Sequence, residues 1–355
     1  MDQMIWLRSH GHQAFLAARP GSDIAARASA AGIPVFETPF SGHYDPRSIL
    51  ILRKVIRDTG IDIADCHGSR DVMTAAFARS LIPVIRTRHV SQPIKNKLHR
   101  RLQWRYGSDH VIATADCIRQ EVLAKGLAPD GKISVIGEWA ADDFFDISNK
   151  ESHRTDVRRE FNVPEDQPMV CVVGMLRGDK AQEILIETIA ELRRRGRDVA
   201  ALIVGEDTNS QKNYHRGLEA TAADLGVTDL IRFTGYRDDV ARLTQACDAQ
   251  VITSISVEAQ SRTAPQAFAG QTPIVASRVG GVAELVEPGR TGWLVEIKDV
   301  DGYANALSDI FDNKDGTSRI TAEARAFAES HLRMDHKMAE TLAVYERLIA
   351  ARRTS

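Results

Sequence analysis

Short apolar runs alternate with longer amphipathic stretches along almost the whole chain, and this rhythm predicts alternating strands and helices. The runs fall at 13–18, 34–36, 61–67, 84–87, 110–114 and 133–136, then at 169–174, 199–205, 231–235, 249–254, 273–277 and 292–295. Several are continuously apolar rather than alternating, as parallel strands covered on both faces require. Between them the period lengthens. Over 180–195, Ile184, Leu185, Thr188, Ile189 and Leu192 share one helical face, and Arg193, Arg194, Arg195 and Gly196 close its end. The alternation predicts an α/β chain of parallel sheets flanked by helices, arranged as two doubly wound, Rossmann-like domains.

The rhythm breaks over 139–167, which is rich in Asp, Asn, Ser and charge. It reads as a linker with one charged helix, dividing an N-terminal domain (1–143) from a C-terminal one (144–330). A last helix at about 334–352, within 331–355, is expected to pack back on the N-terminal domain. The front is unusual. A doubly wound domain opens on a central strand whose loop feeds the first helix, yet residues 1–10 already read as the end of a helix. The N-terminal sheet is therefore expected to lack its first, central strand, through a start assigned too late or a truncation.

Composition narrows the classes. A length of 355 residues suits two domains, and 43% hydrophobic with 26% charged residues is ordinary for a globular chain. No apolar stretch approaches the ~20 residues of a spanning helix, and the first residues lack the apolar core of a secretory signal. Cys66, Cys117, Cys171 and Cys247 form no CxxC pair. Three of them sit in or next to apolar segments and read as core filler in a reducing cytosol, and no Cys/His spacing suits zinc. A net charge of −2 gives no pull toward nucleic acid. The expected location is cytoplasmic.

The chemistry concentrates in the second half. After the run MVCVVG comes Gly174-Met-Leu-Arg-Gly-Asp-Lys180, read as the opening of a helix. A diphosphate needs positive charge and free backbone N–H groups at such a strand end, and Arg177 and Lys180 supply the charge. The second element, 254–277, ends a strand near Ser254 and begins a helix near Thr263, with Pro265 in its first turn. Glu258 can accept hydrogen bonds from sugar hydroxyls, and Gln266 can bond a ribose. The N–H groups of Ser261, Arg262 and Thr263 suit an anion. Gly280-Gly281-Val-Ala-Glu284 and Gly289-Arg-Thr-Gly292 follow, with glycines that permit tight turns.

In order, GMLRGDK, FTGYRDD, Glu258-x7-Gln266, GGVAE and GRTG resemble the motif series of the family 4 nucleotide-sugar glycosyltransferases, which have the GT-B fold. The resemblance runs from about residue 61 to the end. It implies two Rossmann-like domains facing a cleft and retaining sugar transfer from a nucleotide donor. It further implies that Glu258 holds the transferred sugar, Gln266 the ribose, and backbone around Tyr236 and Arg237 the base. Two departures stand out. The family's arginine directly follows the first glycine, where this chain has Met175, so Arg177 is the expected substitute. The family's second glutamate is Gln266 here.

The run DIADCHGS, with His67, and Arg86-Thr87-Arg88-His89 resemble the family's strand ending in His and its Thr-x-His motif. The resemblance places His89 by the transferred sugar. Arg86 and Arg88 are read as pointing to different sides of the strand. The basic stretch 95–106 reads as a solvated helix with Leu98, Leu102 and Tyr106 on its core side, or as a peripheral membrane contact carrying Trp104. No metal or other cofactor is expected, because the nucleotide sugar is itself a substrate and Asp299-Val-Asp301 reads as surface. The expected partners are a nucleotide-sugar donor and a glycan or lipid-linked acceptor, with lipopolysaccharide or another envelope glycan as the default pathway. The alternatives are a donor-binding scaffold and a nucleotide-sugar epimerase of the same fold.

Overall fold

The computed structural model describes residues 1–42, 44–90, 92–95, 98–207, 211–256 and 259–354. Two compact units emerge: Met1–Gly137 with Lys337–Ser355, and Glu138–His336. The boundaries fall at 137/138 and 336/337, not at the expected 143/144 and 330/331.

In the first unit the strands are β1 (Leu16–Ala18), β2 (Val35–Glu37), β3 (Ala64–Cys66), β4 (Val84–Arg88), β5 (His110–Ala113) and β6 (Ile133–Val135). All their pairings are parallel, but they form two separate sheets, β1-β2 and β3-β4-β5-β6. The split falls where a doubly wound sheet would have its central strand. Residues 1–10, expected to be helical, contribute the helix Asp2–Ser9.

Alternation along β4 explains how the larger sheet is covered. Ile85 packs with Ile63, Ile112 and Ile136, and with Val344, Tyr345 and Leu348 of the final helix, Met334–Arg353. Val84 and Cys66 face the other way, onto Val72 and Ala75 of the helix Ser69–Ala75.

The second unit holds β7 (Met169–Val173), β8 (Ala200–Val204), β9 (Ile231–Gly235), β10 (Ala249–Ile252), β11 (Ile274–Ser277) and β12 (Trp293–Val295). They form one parallel sheet in the order β12-β11-β10-β7-β8-β9. The continuous apolar run of β7 is central because both of its faces are covered. Val170 and Val172 meet Leu185 and Ile189 of the helix Glu183–Arg194, while Met169 and Cys171 meet Leu202 and Leu243 on the other side.

The stretch 139–167 is not a bare linker. Trp139, Phe144, Phe145, Val157 and Val163 are buried, and the two phenylalanines join Phe268, Ile274 and Leu332 in a core cluster. Their polar neighbours hide this in the sequence, because isolated apolar residues carry no period.

Candidate functional site

The strand order of the second sheet reverses between β7 and β10, the point where doubly wound folds bind ligands at the C-terminal ends of their strands. The loops leaving these two strands are tied together there. Thr253 Oγ1 donates to the Lys180 carbonyl at 2.7 Å, and the Ile255 N–H donates to the Asp179 carbonyl at 3.0 Å. The loop after β7 is held from its other side as well. The Gly174 N–H bonds Val204 O at 2.9 Å and the Leu176 N–H bonds Glu206 O at 2.8 Å. Gly205 lets the strands close up here: at φ +139°, a Cβ on it would lie 2.0 Å from the Gly174 carbonyl oxygen.

Lys180 does not open the helix, as the sequence suggested. The helix begins at Glu183, and Lys180 belongs to a turn completed by its own N–H to Arg177 O (2.8 Å), followed by Ala181 in the left-handed region. Arg177 is exposed, but its guanidinium is clasped by both oxygens of Asp179. Partial burial pushes the Asp179 carboxyl up, but the Arg177 pairing outweighs it and holds the group below the usual carboxylate range. Much of the Arg177 charge is therefore neutralised locally. The phosphate-facing role expected of Arg177 requires release from Asp179.

On the loop after β10, the helix Thr263–Ala269 starts as expected, with Pro265 buried in its first turn. The hydroxyls of Ser261 and Thr263 bond one another at 2.6 Å, and the backbone N–H groups of both meet no protein acceptor among the described residues. Arg262 turns its side chain to Glu138 Oε2 at 2.9 Å and stacks on Trp139, 4.3 Å from the ring centroid. The half-buried Gln266 amide makes no hydrogen bond with described residues, so both its donor and acceptor are available. Glu258 lies outside the described residues. Tyr236 is exposed, and Arg237 is fixed by Asp239 and Glu160 at 2.7 Å, a pairing that also engages Arg242.

In the first unit the structure brings His67 and His89 together. Nδ1 of His67 lies 2.8 Å from Nε2 of His89, and the rings stack at 5.1 Å. Asp65 backs the pair, its Oδ2 being 3.8 Å from His67 Nε2. The same carboxylate accepts from the Thr87 hydroxyl and the Tyr345 hydroxyl, both at 2.6 Å. Burial, reinforced by the Asp65 charge, raises the Tyr345 phenol well above its ordinary range, so it remains a donor.

Two family profiles account for most of the chain. Glycosyltransferase Family 4 matches residues 3–138, and Glycosyl transferases group 1 matches residues 153–327. The chain belongs to the family 4 glycosyltransferases. Among curated relatives, the D-inositol 3-phosphate glycosyltransferase of Streptomyces scabiei is 30% identical over 247 residues, 67% of this chain and 54% of the relative. The chain spans about half the length of the curated relatives it matches. A glycosyltransferase from Rickettsia africae has the same fold, with a TM-score of 0.88, 20% identity, and coverage of 98% of this chain and 93% of that one. The Anabaena protein HepE, solved with UDP and glucose, gives a TM-score of 0.80 at 21% identity and covers 96% of this chain and 95% of its own. The fold is GT-B, built from two Rossmann-like units.

Several residues of this family 4 chain escaped the sequence reading. Asp179, Glu138 and Trp139 now hold the expected site arginines, and Asp65 and Tyr345 back the histidines. Only the Arg177-x-Asp179 spacing was visible in the sequence as a signal; the other partners lie too far apart along the chain. Arg86 and Arg88 do not point to different sides. Both stack on Trp104, at 4.2 and 5.6 Å, as residues two apart on a strand must share a face. Trp104 itself is buried, whereas Leu98, Leu102 and Tyr106 are 74%, 49% and 60% exposed, the reverse of the expected core stripe. Asp299 caps the helix Val300–Asp312 through the Gly302 N–H, and Asp301 pairs with Arg195. Among the described residues, no three His, Cys, Asp or Glu side chains are grouped to hold a metal. No described helix is long and apolar enough to cross a membrane.

Proposed function

We propose that this family 4 chain moves a sugar from a nucleoside-diphosphate donor to an acceptor hydroxyl with retention at the sugar carbon. The observation that carries the reading is the joining of the β7 and β10 loops at the sheet's switch point, with Lys180 on one and the unspent N–H groups of Ser261 and Thr263 on the other. Negative charge grows on the leaving diphosphate as the glycosidic bond breaks. An ammonium and preorganised N–H donors are worth most at that moment. Gln266 holds the ribose, the backbone at Tyr236 and Arg237 borders the base, and Glu258 orients the sugar hydroxyls. Arg177 joins the diphosphate once Asp179 releases it. No metal is required, because protein groups meet the leaving charge. His89, held by His67, acts at the transferred sugar.

The acceptor is proposed to belong to an envelope glycan such as lipopolysaccharide and to be carried on lipid. Support comes from the helix Leu98–Gly107, which contains no acidic residue in its first turn and exposes Leu98, Leu102 and Tyr106 beside Arg101 and Arg105. An apolar stripe flanked by cations suits the surface of an anionic bilayer. Flotation with anionic vesicles tests this: Leu98→Asp with Leu102→Asp should abolish binding, and unchanged flotation would remove the membrane contact.

Transfer itself is tested by release of nucleoside diphosphate from a panel of nucleotide sugars. Lys180→Ala and Glu258→Ala should each lower turnover by roughly 10²-fold or more. Wild-type turnover in both would overturn the site assignment. Donor binding without turnover on any acceptor would make the chain a donor-binding protein instead.

A further inference from the structure

Arginines of the second unit are habitually paired with acids. Arg154, Arg158, Arg193 and Arg237 each hold at least one carboxylate. Around Trp104 in the first unit the habit is reversed. Arg86, Arg88, Arg100 and Arg105 form no ion pair with any described residue.

Arg86 is the extreme case, at 7% exposure. One N–H goes to the Gln103 carbonyl at 3.3 Å, and its buried Nε has no hydrogen-bond partner among the described residues. Arg88 repeats the pattern. It spends one N–H on the Gln92 carbonyl, and its Nε is also buried and unpartnered. Burial lowers the Arg86 guanidinium to about 10; the neighbouring Cys66 works against this, and the Arg88 and Arg100 charges add to it. Arg88 feels the opposing charge of Glu121, which is already engaged by Lys125 Nζ at 2.6 Å and the Ile94 N–H at 2.7 Å.

A buried cation beside a half-buried one, with no counter-charge among the described residues, is costly, and stacking on an indole recovers only part of that cost. The Arg86 guanidinium packs close to the end of the helix carrying Trp104, where a Cβ on Gly107 would lie 3.4 Å from Nη2, an ordinary contact.

We propose that Arg86 and Arg88, backed by Trp104 and with Arg100 nearby, form a phosphate-binding site in the first unit, distinct from the donor loops of the second. Paired forks satisfy several oxygens of one tetrahedral anion, and a phosphate monoester brings more charge than a lone carboxylate. The site stands independently of the donor assignment. Only the identity of the phosphate's carrier, a soluble acceptor or a lipid headgroup, rests on the glycosyl-transfer reading.

The test uses the full chain with Lys180→Ala as background, so that the donor loops contribute little. Glycerol 3-phosphate is titrated by calorimetry, and vesicles with and without phosphatidic acid are assayed by flotation. Binding should persist in Lys180→Ala and weaken at least tenfold when Arg88→Gln is added. Arg88→Lys, which keeps the charge but not the fork, should fall between, with circular dichroism unchanged. Nucleoside-diphosphate binding by the Arg88→Gln single variant should equal wild type. Arg88-dependent binding of the soluble monoester assigns a soluble acceptor, and Arg88-dependent binding of phosphatidic acid vesicles alone assigns a headgroup. Absence of binding in both arms, or binding indifferent to Arg88→Gln, overturns the site. A Lys180→Ala chain that still binds nucleoside diphosphate normally would count against the donor reading alone.

Discussion

Among the described residues the Gln266 amide has no hydrogen-bond partner, whereas Arg177 and Arg262 are already engaged by Asp179 and Glu138. Gln266→Ala should therefore weaken nucleoside-diphosphate binding by about fivefold to tenfold, the worth of one neutral hydrogen bond, measurable by calorimetry. An unchanged affinity would remove the ribose role. His110 gives a prediction about stability. It is buried, bonds Ser134 Oγ at 2.9 Å, and lies 3.5 Å from the Arg347 guanidinium. Burial, with Arg347 and Lys132 adding, lowers it to about 4 from an ordinary 6.5. The unfolded chain therefore binds the extra proton first, and stability falls as pH drops from 6.5 toward 4. The loss between pH 7 and pH 5 should be about 2 kcal/mol, read from urea midpoints, and His110→Asn should flatten it. A midpoint equally pH-dependent in the variant would contradict this account of His110.

Among the elements, the close approach of β7 and β8 makes its own demand. Gly205→Ala places a methyl against the Gly174 carbonyl in a conformation that disfavours any side chain. It should cost roughly 2–4 kcal/mol and lower the melting temperature by about 5–10 °C, with donor binding lost in parallel. A wild-type melting curve would show that the loop tolerates rearrangement. The strands of both units were legible in the sequence, because short β-rich runs, several of them continuously apolar, stand out between longer amphipathic stretches. The observed β7 and β9 match the expected runs to within a residue. The start at Thr263 was legible through Pro265, a residue tolerated in a helix's first turn. What stayed hidden were pairings between distant residues, such as Arg262 with Trp139 or Asp65 with Tyr345. Periodicity describes an element's own faces and says nothing of which partner meets them. The 98–107 helix shows the cost: its period was visible, but its inward face was chosen wrongly, because Trp104 buries with two arginines while Leu98 stays outside.

At the scale of the whole molecule, the chain begins and ends in the same unit. Residues 337–355 return to the first unit, where Val344, Tyr345 and Leu348 cover one face of the β3–β6 sheet. Removing residues 337–355 should expose that face and lead to early proteolysis of the first unit, while the second keeps its melting transition; equal resistance in both units would contradict this. The split of the first unit's strands into two sheets contrasts with the continuous six-stranded sheet of the second. The donor half therefore carries the central claim and should stand or fall by it. The direct measurement is calorimetric titration of the full chain with a panel of nucleoside diphosphates, wild type against Lys180→Ala. The account predicts that at least one member of the panel binds the wild type and binds the variant at least tenfold more weakly. No binding by any member, or equal binding by the variant, would contradict it.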